Sequence, residues 1–130
     1  RIKIGDQYVS DLLVEEKHTA VAFGSGNLYV FSTPMMIGLM ENAAMICAQN
    51  SLDPAYSSVG IAVAIEHLAA TPMGQKVKAV ATVTEVEGKK ITFEVEAYDE
   101  VECIGRGKHT RFIVEAESFL KRVNDKGSKG

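Results

Sequence analysis

The chain has 130 residues, 46% hydrophobic and 24% charged, with fourteen Lys and Arg against seventeen Asp and Glu for a net charge of −3. That length suits one domain with its own core, and the composition is that of neither a disordered nor a membrane-spanning protein. The acidic excess supplies no positive field for a phosphate backbone, so nucleic acid is not an expected partner.

Residues 7 to 15 read as a first strand, and a looser segment with Gly24, Ser25 and Gly26 leads to a short extended piece at Leu28 to Phe31. Ser32-Thr33-Pro34 reads as a helix start, because a hydroxyl can cap an orphan amide and proline is tolerated in the first turn. The helix is expected from about Pro34 to Asn50 and ends before Pro54. Four extended runs follow at 57 to 70, 75 to 86, 90 to 99 and 102 to 117. In the third, Ile91, Phe93, Val95 and Ala97 alternate with polar residues. With no helix between them these runs should form an antiparallel meander, which excludes a doubly wound nucleotide fold. Residues 1–123 are read as one domain and residues 124–130 as a flexible C-terminal tail.

The helix is unusual. Among the 35 residues between Lys17 and Asp53, Glu41 is the only Asp, Glu, Lys or Arg. A helix so uniformly apolar must be enclosed, by a sheet that curls around it or by a second subunit. One long central helix wrapped by a curled antiparallel sheet is the α+β arrangement called the hotdog fold.

Three residues stand out. Glu41 has Ile37, Gly38, Ala44 and Met45 at helical spacing, so nothing local can pair with it. An unpartnered buried carboxylate costs several kcal/mol, so it needs a tertiary partner, water or a raised pKa. An active site supplies each of these, and a purely structural pairing with a buried Arg or amide is the alternative. His67 shares strand parity with Val59, Ile61, Val63 and Ile65, which makes it either a satisfied core histidine or a proton carrier for Glu41. Thr33 is either the helix cap or, together with the amides of the helix N-terminus, part of an oxyanion site in one cleft with Glu41.

Other features carry less. Gly24-Ser25-Gly26 and Gly105-Arg106-Gly107-Lys108 lack phosphate-loop spacing and read as turns or strand kinks. His18, His67 and His109 are too scattered to suggest a metal, and Cys47 and Cys103 lack disulfide or zinc spacing, which fits a reducing, cytoplasmic compartment. No run reaches the roughly 18 apolar residues of a membrane span, and the start lacks a signal pattern. His109 and Arg111 share parity, and Arg111 is either a buried partner for a carboxylate, phosphate or carbonyl, or a solvent-facing residue.

The strings Thr33-Pro-Met-Met-Ile-Gly-Leu-Met-Glu41, Gly60 through His67-Leu-Ala-Ala-Thr-Pro72, and Ile104-Gly-Arg-Gly-Lys-His-Thr-Arg111 resemble the fluoroacetyl-CoA thioesterase family of hotdog proteins, over about residues 6 to 120. Thr33 lies eight residues before Glu41, His67 twenty-six after it, and Arg111 forty-four beyond His67, the intervals of that family's motif. The resemblance implies a homodimeric thioesterase that hydrolyses a small or medium acyl-CoA and needs no cofactor, CoA being part of the substrate. It implies Thr33, Glu41 and His67 as the catalytic set, with Gly60 and Arg111 in the substrate site. Glu41 would be nucleophile or general base, His67 would shuttle the proton, and helix amides would hold the oxyanion.

The stretch from Val21 to Thr33 is shorter than the family's aromatic lid segment, which points away from fluoroacetyl preference. Phe23, Tyr29 and Phe31 read as core, with a smaller lid as the alternative. The rival to hydrolysis is a non-catalytic acyl-CoA binding module on the same fold. A hydratase ranks lower, because its Asp-x4-His spacing is missing.

Overall fold

A computed structural model describes residues 1–129. Strand β1 (Gln7–Leu13) is followed by a 3-10 turn (Glu16–His18), a single helical turn α1 (Ala20–Phe23) and the long helix α2 (Thr33–Gln49). Strands β2 (Tyr56–His67), β3 (Lys76–Glu87), β4 (Lys90–Tyr98) and β5 (Cys103–Glu115) then lead into helix α3 (Ala116–Lys129).

Alternation in β3 and β4 builds the core. Val77, Ala79, Ala81 and Val83 of β3, and Ile91, Phe93, Val95 and Ala97 of β4, are all buried on one sheet face. Against them lies an α2 face of Met36, Met40, Ala43, Ala44, Cys47 and Ala48, spaced three and four apart. Burying each large side chain contributes about 1.5–3 kcal/mol, and the alanines on both surfaces let helix and sheet approach closely. The sheet covers only that face of α2, and Ile37, Leu39 and Met45 remain partly exposed.

All five strands are antiparallel, in the order β1-β3-β4-β5-β2. The meander expected for four runs therefore holds for β3, β4 and β5 only. Strand β2 lies at the far edge against β5, because β1 occupies the outer side of β3. Two glycines make β5 a seat for β2. A Cβ at Gly107 would overlap the Ala64 carbonyl, and one at Gly105 would lie 2.6 Å from Met36 Sδ and 3.1 Å from the Glu66 carbonyl oxygen. The Gly105–Gly107 segment is thus strand interior rather than a flexible turn.

Among the described residues the outer edge of β2 has no strand partner, and Ile61 and Val63 along it are 53% and 47% exposed. At the C-terminus the expected tail is instead helical through Lys129, with Gly130 outside the described residues. The Lys121–Asp125 pair at 3.4 Å, one helical turn apart, supports it, and the boundary expected at residue 123 falls inside α3.

Candidate active site

Ser32, not Thr33, caps α2: its Oγ accepts the Met35 amide at 3.3 Å. Thr33 therefore stands in the first turn with its hydroxyl free, and Thr33 Oγ1 lies 2.7 Å from His67 Nδ1. The other imidazole nitrogen, Nε2, is buried without a hydrogen-bond partner among the described residues. Burial pushes the His67 pKa below its ordinary 6.5, opposed in part by the Ala69 backbone. Thr33 and His67 open onto a cleft of about 440 Å³ whose apolar wall is Ala20, Val30, Phe31, Leu68, Ala69 and Ala70.

The helix end offers fewer oxyanion donors than expected. The Ser32 amide bonds to the His18 carbonyl, Pro34 has none, and the Met35 and Met36 amides are taken by Ser32. The Thr33 amide is what remains of the first turn. Of the three aromatics before α2, only Phe31 is core; Phe23 and Tyr29 are 55% and 57% exposed on the segment bordering the cleft. His18 is buried and local, its Nδ1 accepting the Glu15 amide at 2.9 Å.

A second cluster surrounds Gly60. An added Cβ there would sit 3.0 Å from His109 Cε1, 3.2 Å from Glu41 Oε2 and 3.5 Å from an Arg111 terminal nitrogen. The missing side chain is what leaves room beside the Glu41 carboxylate. Arg111 is buried and held: its Nε donates to Ser58 Oγ at 2.8 Å, one terminal nitrogen to the Ser58 carbonyl at 2.9 Å, and the other to His109 Nε2 at 3.1 Å. It faces Glu41 across Gly60 without closing an ion pair with it. Burial lowers the Arg111 pKa, and the Glu41 charge opposes that shift.

A strand irregularity places both clusters on the α2 side of the sheet. Gly60 and His67 differ by seven residues, so in a regular strand they would face opposite sides. The β2–β5 register slips between Gly60 and Ala62, and this bulge reverses the alternation. Ser58 and Gly60 thus share a face with His67, which the simple parity of the run does not show.

Within one chain the motif residues form two groups, Thr33 with His67 and Glu41 with Gly60 and Arg111. Eight helical residues separate Thr33 from Glu41 by about 12 Å along the axis. Seven strand residues separate Gly60 from His67 by about 23 Å. The single cleft expected to hold Thr33 and Glu41 together is not formed by one chain: Glu41 does not line it.

A profile of the fluoroacetyl-CoA-specific thioesterase FlK matches residues 14–117. The chain belongs to this family. It is 32% identical to the fluoroacetyl-CoA thioesterase of Streptantibioticus cattleyicolor over 99% of its own length and 97% of that protein's. A solved structure of FlK superposes with a TM-score of 0.91 at 32% identity, covering 97% of this chain and 98% of that one. A thioesterase superfamily member from Thermus thermophilus superposes at 0.88 with 25% identity, covering 100% and 98%. The architecture is the hotdog fold.

Two members of the Gly60 cluster, Ser58 and His109, were not assigned to the site from sequence. The shared parity of His109 and Arg111 was the available signal for His109. None marked Ser58, whose position depends on the bulge.

The two site histidines set a pH dependence for this FlK-family chain. Burial, first among the causes, lowers His67 and His109 below 6.5 in the folded state. As pH falls below 6.5, the unfolded chain takes up these protons while the folded protein resists, so stability falls with pH. Denaturant midpoints are expected to drop between pH 7.5 and 5.5, and replacing both histidines with Gln should flatten that drop.

Proposed function

We propose that this protein is an acyl-CoA thioesterase that works as a homodimer, with each active site assembled from both subunits. The observation that carries this reading is the division of the motif between the two ends of an unpaired strand edge. Edge-to-edge antiparallel pairing of β2 with its copy, centred on Ala64 and with the bulged Ile61 left out of the ladder, sets His67 of one subunit beside Gly60 of the partner subunit. Thr33 and His67 then face the partner's Glu41, and the same pairing covers the exposed Ile61 and Val63.

In such a site the thioester carbonyl lies between the Thr33–His67 pair and the carboxylate. The Glu41 carboxylate draws the proton from a water that attacks the carbonyl carbon, or attacks that carbon itself to form a mixed anhydride that water then hydrolyses; in either route the water supplies the proton that is passed on. The Thr33 amide and the charged Arg111 stabilise the developing oxyanion. As the carbon–sulfur bond breaks, the CoA sulfur leaves and takes a proton delivered through His67. The products are a free acid and CoA. Neutral His67, favoured by burial, is ready to accept a proton at pH 7.

The apolar wall of the cleft suits a small or medium acyl chain. The name of the Streptantibioticus cattleyicolor relative supports a CoA thioester as substrate. Two free cysteines suit the reducing cytoplasm, and among the described residues no helix is long and apolar enough to cross a membrane.

The test is thiol release over a panel of acyl-CoA esters from acetyl through short branched to aryl, with the oligomeric state measured by light scattering. Turnover by a dimer is expected. Saturable CoA-ester binding with no thiol release would instead establish the binding-module reading.

A further inference from the structure

Arg111 has a fixed place, and most of what fixes it lies outside the catalytic set. Two of its contacts are to Ser58, and the third is to His109, a side chain only 1% exposed. The protonation state of His109 follows from its partners. Its Nδ1 is 2.9 Å from the Ala62 carbonyl oxygen, which can only accept, and its Nε2 is 3.1 Å from Arg111, which can only donate. His109 is therefore neutral, with its proton on Nδ1. Phe93 of β4 stacks on the ring at 6.5 Å between centroids, and the charged groups facing it are Arg111 on its own strand and Glu41 from α2.

The consequence concerns Glu41. One Arg111 terminal nitrogen is turned toward the imidazole, so its guanidinium faces the carboxylate without closing an ion pair. An arginine freed from His109 would rotate onto Glu41 and make it a poorer base and nucleophile. We infer that His109 is a positioning residue, which holds Arg111 off the Glu41 carboxylate and aimed at the space where a substrate carbonyl would lie. Through the Ala62 carbonyl the same ring braces β2 next to its bulge, so strand and guanidinium share one strut. This inference rests on the hydrolytic reading above.

The test compares two substitutions that fill similar volume. His109→Phe keeps the stack on Phe93 and removes both hydrogen bonds. His109→Gln can remake both, its amide N–H donating to Ala62 and its amide oxygen accepting from Arg111. His109→Phe is expected to lower kcat by about 10–100-fold, the range for loss of a supporting contact, with KM for the acyl-CoA nearly unchanged. The acid limb of its kcat/KM profile should move to lower pH, because an ion pair with Arg111 favours the charged form of Glu41. His109→Gln should recover most of the rate and the original limb.

Wild-type kcat in His109→Phe overturns the inference, as does a His109→Gln enzyme no better than the phenylalanine variant. Should His109→Phe not fold, His109→Leu, which likewise removes both hydrogen bonds of the ring, takes its place; a loss of kcat with the same shift supports the inference, and unchanged kinetics overturn it. If the wild type hydrolyses no acyl-CoA, the functional reading fails and nitrogen-15 NMR tests the strut by itself. An Nδ1–H imidazole in wild type, with solvent-protected Arg111 N–H signals in wild type and His109→Gln that are lost in His109→Phe, supports it. Arg111 signals indifferent to both substitutions overturn it.

Discussion

Glu41→Gln is expected to leave a folded dimer whose thiol release from acyl-CoA is at least about 100-fold slower than wild type, since the amide is neither a base nor a nucleophile. The fold should survive for a structural reason. Glu41 is half-buried and closes no ion pair, and the buried cation beside it is held by Ser58 and His109. Glutamine has the same shape, so no cavity opens and no charge loses its only partner. Thiol release at saturating substrate, measured beside thermal unfolding, checks both halves. Wild-type turnover would remove Glu41 from the mechanism, and loss of folding would make it a structural carboxylate.

The second large effect is a recovery of activity. Glu41→Gln and His67→Ala, each nearly inactive alone, are expected to give about a quarter of wild-type activity when unfolded together and refolded as an equal mixture. Random pairing makes half the dimers mixed. In each mixed dimer one site joins an intact His67 to the intact Glu41 of the partner subunit, while the other site carries both defects. If Glu41 and His67 worked within one chain, every site in the mixture would keep one defect and no activity would return. Thiol release before and after refolding decides the matter. A mixture as inactive as its components would place the site within single subunits.

Much of the fold was legible because burial imposes periods. Alternation marked β3 and β4, and the isolation of Glu41 in an apolar helix marked the residue that meets Gly60 and Arg111. Pairing order was less legible. A strand's period says which face is buried but not which strand lies beside it, and β2 went to β5 because of Gly105 and Gly107 and the occupied edge of β3. The C-terminal segment misled for a related reason: its polar composition suggested a tail, whereas it carries on the helix begun at Ala116.

Thr33 shows the same limit at a single residue. Ser32 and Thr33 have equal claims as caps by composition, and only backbone geometry made Ser32 the cap and freed the Thr33 hydroxyl for His67. The amino-acid sequence by itself determined the helix, the strands and the residue types able to carry acyl-transfer chemistry, because these follow from local propensity and from periods of burial. Only the tertiary structure decided the seat of β2, the bulge that turns Gly60 toward Glu41, the Ser58 and His109 cradle of Arg111, and the separation of Glu41 from His67. Those depend on strand register and on partners distant in the chain, which local patterns do not encode.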